Sequence, residues 1–153
     1  MIIPLEQSWG DSDPHVAAAQ QIAGDIAGQA MPKRVNKNWG YELHYRNDDR
    51  YCMKWLHFDG PKEENRLCPR INDVNNSTSM HFHVIKHETL LVISGTLTLE
   101  LIVNKQQILH RLDPGMAWVV CPGHVHRLSA VDGPVDLIEA STKDYEDDSV
   151  RVN

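Results

Sequence analysis

Cysteine is scarce and odd in number: Cys52, Cys68 and Cys121, with no CxxC pair among them. That argues against a disulfide framework or a thiolate zinc site and fits a reducing compartment. Basic charge is also short, with 15 Lys and Arg against 21 Asp and Glu and a formal net charge of -6. Nonspecific binding to nucleic acid or to an anionic membrane rewards the opposite sign, so neither partner is expected. No stretch approaches 18 apolar residues, the length that would predict a membrane-spanning helix. The opening run MIIPLEQSWGDSD lacks the basic region and apolar run of a secretory signal, which makes the cytoplasm the expected location.

What the chain does contain is ordinary for one globular domain. Its 153 residues suffice for a core without staples, and apolar residues make up 41% and charged residues 24%. The first thirty-odd residues stand apart. Asp13-Pro14 reads as an N-cap and first helical position, followed by Val16, Ala19, Ile22, Ala23, Ile26 and Ala30 at helical spacing. The expected organisation is an N-terminal helical extension over 1–34 and a main domain over 35–153. The alanine face of the helix would pack on that domain or on a partner subunit.

From residue 35 the pattern turns to strands. Residues 39–45 and 51–58 read as a pair joined by the polar turn 46–50. Residues 59–78 are polar and broken by two prolines, the pattern of a long loop, lid or binding loop. Short strands are predicted at 80–85, 88–94, 96–103, 107–112, 117–120, 126–131 and 135–139. The turns between them include Asp113-Pro-Gly115, Cys121-Pro-Gly123 and Asp132-Gly-Pro134. In 96–103, Leu97, Leu99, Leu101 and Val103 face one way, and Thr96, Thr98 and Glu100 the other. Many short strands without helical crossovers mean an all-β antiparallel barrel or sandwich. The acidic tail after Ser141 reads as a loose end or an edge strand.

The chemistry concentrates in Met80-His-Phe-His-Val-Ile-Lys-His-Glu88. Residues two apart on a strand share a face, so His81 and His83 present both imidazoles to one side. Glu88 has the other parity and needs a bend near Lys86-His87 to reach the same point from a neighbouring strand. His126 arrives from the strand opened by the Pro122-Gly123 turn. Three imidazoles and a carboxylate suit one divalent ion, Zn, Mn, Fe, Co or Ni, and leave open positions for catalysis. Of the nine histidines, His44, His57 and His110 are read as structural or surface residues.

These residues carry a resemblance. His81-x-His83-x-x-x-x-Glu88, six residues and then Gly95 resembles the first signature of the cupin superfamily. Gly115 followed by Cys121-Pro-Gly-His-Val-His126 resembles the second. Cys121 stands where proline is usual, and Ala130 where asparagine often closes the motif; neither removes a ligand. The resemblance implies a cupin fold, a double-stranded β-helix or jelly-roll barrel, with a metal held by His81, His83, Glu88 and His126.

Within that superfamily the chain is similar to the C-terminal domain of type II mannose-6-phosphate isomerases. Trp39-Gly-Tyr-Glu42, Lys54, Ser79 through Glu88, His126-Arg-Leu128, Glu139-Ala-Ser-Thr142 and Asp147-Asp-Ser-Val-Arg151 carry the likeness. His81 replaces a frequent glutamine and Lys86 a frequent arginine. The resemblance implies an aldose–ketose isomerase acting on a sugar or sugar phosphate such as mannose 6-phosphate. Glu42, Glu139 and Lys54 are the candidate catalytic groups. Lys86, Arg127, Trp39 and Tyr41 are the candidate substrate contacts, with Trp55 a further aromatic. The alternatives are a sugar-binding or regulatory cupin without turnover and an iron-dependent dioxygenase. A homodimer is the expected state.

Overall fold

A computed structural model describes residues 31–61 and 76–152. The helix expected at 14–30 and loop residues 62–75 lie outside the described residues. Within the described residues the chain is all β. The strands are β1 (Lys33–Lys37), β2 (Gly40–Asn47), β3 (Cys52–Phe58), β4 (His81–His83), β5 (Glu88–Ser94), β6 (Leu97–Val103), β7 (Gln106–Leu112), β8 (Ala117–Val120), β9 (Val125–Ser129), β10 (Val135–Ser141) and β11 (Ser149–Arg151).

They form two antiparallel sheets, one in the order β1-β2-β3-β10-β5-β8 and the other β11-β4-β9-β6-β7. From β4 onward the chain keeps switching sheets: β4 lies in the second, β5 in the first, β6 and β7 in the second, β8 in the first, β9 in the second and β10 in the first. This alternation is the jelly roll that the many short strands and tight turns predict. The β6–β7 hairpin turns on Asn104 and Lys105, both with positive φ (52° and 63°), the backbone that two-residue hairpins require. Gly40, which follows Trp39, has φ +146°, and a Cβ there would run into the His57 carbonyl of the paired strand. Only glycine serves at that position.

The core lies between the sheets and is built from alternate residues. Leu97 and Leu99 of β6, Leu90 and Val92 of β5, and Val135 and Leu137 of β10 are each at most 1% exposed. Trp39 closes one part of it by stacking on Phe58, ring centroids 4.2 Å apart. One expectation shifts, and one alternative left open is decided. The strand expected over 80–85 shortens to β4, because the chain turns away after His83 to change sheets. The tail becomes the edge strand β11, paired with β4. Thr98 and Glu100, on the opposite face of β6 from the leucines, are each only 4% exposed, and Val103 at the end of the apolar row is 44% exposed.

Candidate metal site

His81 and His83 sit on β4, and His126 comes from β9, whose residue 126 pairs directly with 81. Paired residues share a face of a sheet, so all three imidazoles converge. Their candidate ligand atoms lie within 4.8 Å of one another. The Cys121–His124 turn is tied to the same strand, since the Gly123 amide donates to the His83 carbonyl at 2.8 Å. Glu88 opens β5 on the other sheet and reaches the cluster from there. Its Oε1 lies 3.0 Å from His126 Nε2 and its Oε2 3.7 Å from His83 Nε2.

The histidine tautomers suit a metal. The Nδ1–H of His81 donates to the Ser79 carbonyl at 2.8 Å, and that of His126 to the His124 carbonyl at 2.9 Å. A carbonyl can only accept, so in the neutral rings Nε2 is left as the free donor atom toward the cluster. His126 Nε2 and the Glu88 oxygen 3.0 Å from it then share either a proton, as a hydrogen bond from the ring to the carboxylate, or a metal ion. Burial, reinforced by the nearby His126, lowers the pKa of His81 to about 4, so it is neutral, the form that ligates. Burial likewise lowers His83, with Lys86 adding to the effect. Three histidines could thus hold a metal ion, and the Glu88 carboxylate lies against two of them.

The bend from β4 to β5 is pinned by Asp148. Its Oδ1 accepts the amides of Val84 and Ile85, each at 2.9 Å, and its Oδ2 accepts that of Lys86 at 3.0 Å. The same Oδ2 is 3.7 Å from His83 Nδ1, a buried ring nitrogen with no hydrogen bond among the described residues.

Beside the histidines lies a buried charge network. Lys86, 3% exposed, places its ammonium 2.8 Å from Glu88 Oε2, 2.7 Å from Glu139 Oε1 and 3.6 Å from Asp144. Lys54 pairs with Asp144 and lies 3.8 Å from Glu139. Burial opposes the charge on Lys86, but Glu139, Glu88 and Asp144 together raise its pKa well above the ordinary lysine value. Burial alone would raise Glu88, yet the His126 hydrogen bond and the Lys86 charge outweigh it and hold that carboxyl well below the usual range. The two groups keep each other ionised.

These residues line a cavity of about 750 Å³ that also takes in Trp39, Glu42, His44, Arg127, Ser149 and Arg151. Of the residues singled out from the sequence, the four ligand candidates, Lys54, Lys86 and Glu139 form one cluster. Glu42 borders the cavity with its carboxylate held by His44 at 2.5 Å and Lys37 at 3.2 Å. Burial would raise its pKa, but the His44 hydrogen bond and the charges of Lys54 and Lys37 lower it. Arg127 also borders the cavity, but its guanidinium lies 3.8 Å from Glu100, its register partner on β6. Tyr41 is not among the cavity-lining residues; its ring stacks on His57, centroids 4.8 Å apart, under the Arg34 guanidinium. Trp55 bonds Asp136 at 2.9 Å. His44, read as structural, faces the cavity instead. Asp144, Asp148, Ser149 and Arg151 belong to the site without having been assigned a role from the sequence.

No family model matches the sequence, and no curated protein matches it. Solved structures do. The capsular polysaccharide assembling protein CapF from Staphylococcus aureus matches with a TM-score of 0.63 at 14% identity, over 80% of this chain and 34% of that one. Oxalate decarboxylase from Bacillus subtilis matches at 0.62 and 10% identity, over 79% of this chain and 30% of that one. KdgF from Halomonas sp. matches at 0.52 and 17% identity, over 70% and 81% of the two chains. The chain therefore spans about a third of the length of the first two. At these identities the likeness is one of fold, and the fold is the cupin jelly roll.

Proposed function

We propose that this cupin-fold domain is a metal-dependent aldose–ketose isomerase acting on a sugar or sugar phosphate, of the kind exemplified by mannose 6-phosphate. The observation that carries this reading is the Lys86–Glu139 pair: an ammonium and a carboxylate 2.7 Å apart, both buried, and lodged against the ligand candidate Glu88. A carboxylate so placed beside a metal site is positioned to act as the general base that proton transfer at carbon calls for. A divalent ion on His81, His83, His126 and Glu88 would supply polarisation of the sugar carbonyl and a hold on the neighbouring hydroxyl.

The residues then divide the work. Isomerisation of an aldose moves a proton from C2 to C1 while a hydroxyl proton passes from O2 to O1. Glu139 takes the carbon-bound proton and returns it one carbon away. Lys86 stays charged beside it, holds the carboxylate in place and stabilises negative charge developing on the sugar oxygens. Lys54 and Asp144 fix the far side of the same network. Trp39 and His44 contribute cavity wall. Support for a carbohydrate comes also from CapF, a capsular polysaccharide assembling protein on a barrel of the same fold.

The test is incubation of the metal-reconstituted protein with mannose 6-phosphate and with free mannose, followed by assay of the ketose. Ketose formation that disappears in Glu139→Gln, with bound metal unchanged, is the expected result. Metal-loaded protein that yields no ketose from either sugar would reject turnover of these substrates and leave binding without catalysis. Oxygen uptake with iron bound would instead identify the dioxygenase alternative.

A further inference from the structure

Most cations around the cavity are already spent on carboxylates. Lys37 pairs with Glu42, Lys54 with Asp144, and Lys86 with Glu88 and Glu139. Arg127 lies against Glu100. Arg151 differs. It lines the same cavity, yet among the described residues its guanidinium has no ion pair and no hydrogen bond.

Its position follows from strand register. β11 pairs antiparallel with β4 so that Arg151 lies opposite His81 and Ser149 opposite His83. Directly paired residues present their side chains to the same face of a sheet, at Cβ separations of about 5 Å. Since His81 and His83 face the cavity, Arg151 and Ser149 face it beside them, and both line it. The edge strand therefore sets a guanidinium without a partner among the described residues, and a hydroxyl, next to two of the metal-ligand candidates.

Charge counting gives the same direction. With Arg127 assigned to Glu100, the cavity is lined by four cationic and four carboxylate side chains. The lining is balanced, so a bound divalent ion leaves a net positive cavity in a chain whose formal charge is -6. A neutral sugar does nothing to offset that excess, whereas an anionic ligand is drawn to it. The planar guanidinium fork matches a carboxylate or a phosphate through two parallel hydrogen bonds.

We infer that Arg151 anchors an oxyanion group on the substrate, a carboxylate or a phosphate, so that the natural ligand is an anionic sugar and not a neutral one. That the ligand is a sugar rests on the isomerase reading; the anion site rests on the register, the charge balance and a guanidinium with no partner among the described residues.

Calorimetric titration of the metal-loaded protein tests it. The probes are mannose, mannose 6-phosphate, mannuronate and inorganic phosphate, run on the wild type and on Arg151→Gln. Arg151 is an exposed edge residue, and equal melting temperature and metal content will show that the variant is intact. The expected result is that at least one charged probe binds the wild type and weakens about tenfold or more in the variant, the loss of one good charged contact. Mannose should be unaffected. The phosphate and mannuronate arms say which oxyanion is preferred. Charged probes that bind both proteins equally, or that fail to bind the wild type, would overturn the inference. If only inorganic phosphate responds and no sugar binds, the anion site stands and the isomerase reading falls. If mannose is isomerised while Arg151→Gln changes nothing, the isomerase reading stands and the anion site falls.

Discussion

The interior of the barrel has two halves made by the same strands, and they differ in almost everything except geometry. Along β3 the inward row runs Cys52, Lys54, Leu56, Phe58; along β10 it runs Glu139, Leu137, Val135; along β5 it runs Glu88, Leu90, Val92. In each strand the acidic or basic residue lies toward one end of the row, and apolar residues fill the other end. The register lines these ends up, Glu139 opposite Lys54 and Leu137 opposite Leu56. The apolar half gains from removing hydrocarbon from water, about 25 cal/mol per Å². The ionised half gains little net stability, because desolvating each charge opposes the attraction between them. Stability comes chiefly from one half; the other half holds the charged groups and the histidines that could hold a metal ion.

The comparison can be broken from either side. Lys86→Met leaves Glu88 and Glu139 buried without their ammonium, and should cost about 3–5 kcal/mol in urea denaturation of the metal-free protein. Part of that loss should return on adding metal, because the ion takes over the charge of Glu88. Leu137→Ala, one inward position along β10 from Glu139, should cost about 2–5 kcal/mol through its cavity. It should leave metal affinity unchanged within a few-fold when titrated, and metal should restore none of the structural loss beyond the wild-type increment. Asp148→Asn should weaken metal binding by about 10–100-fold, because the bend carrying Lys86 and the support behind His83 both depend on that carboxylate.

The smallest effect belongs to a carboxylate away from the cavity. Asp136 accepts from Trp55, His57 and Ser94 at 2.8–2.9 Å. Burial would raise its pKa, but those hydrogen bonds, led by that of His57, lower it below 3.8. The stability it contributes is thus fully present above about pH 3.8 and is lost as pH falls through the lower folded value. The stability gap between the wild type and Asp136→Asn should be constant near neutrality and shrink in acid. A gap that widens toward low pH would contradict this sign.

The strands were legible because alternation and turn chemistry are local. Residues 117–120 needed only their own pattern and the glycine and proline turns around them, and β8 has those same bounds. The ligand histidines were legible for a similar reason: two-residue spacing on one strand, together with the resemblance carried by the motif. Lys86 reads from sequence as a substrate contact, because nothing local reveals that it is 3% exposed and clasped by Glu139 from another strand. Asp148 and Arg151 were harder still. Their roles exist only because a three-residue edge strand pairs with β4, and so short a segment carries no periodicity. His44 reads from sequence as a structural or surface residue, one of nine histidines, because the cavity it borders is formed by distant elements.

The central claim is that the charged half of the barrel is a metal site. It is tested most directly by the metal content of the protein after reconstitution with Mn, Fe, Co, Ni and Zn in turn, measured beside His126→Ala. One ion per chain in the wild type, and none retained by the variant, is the predicted result. A wild-type protein that holds none of these ions, or a variant that holds them equally well, would contradict it.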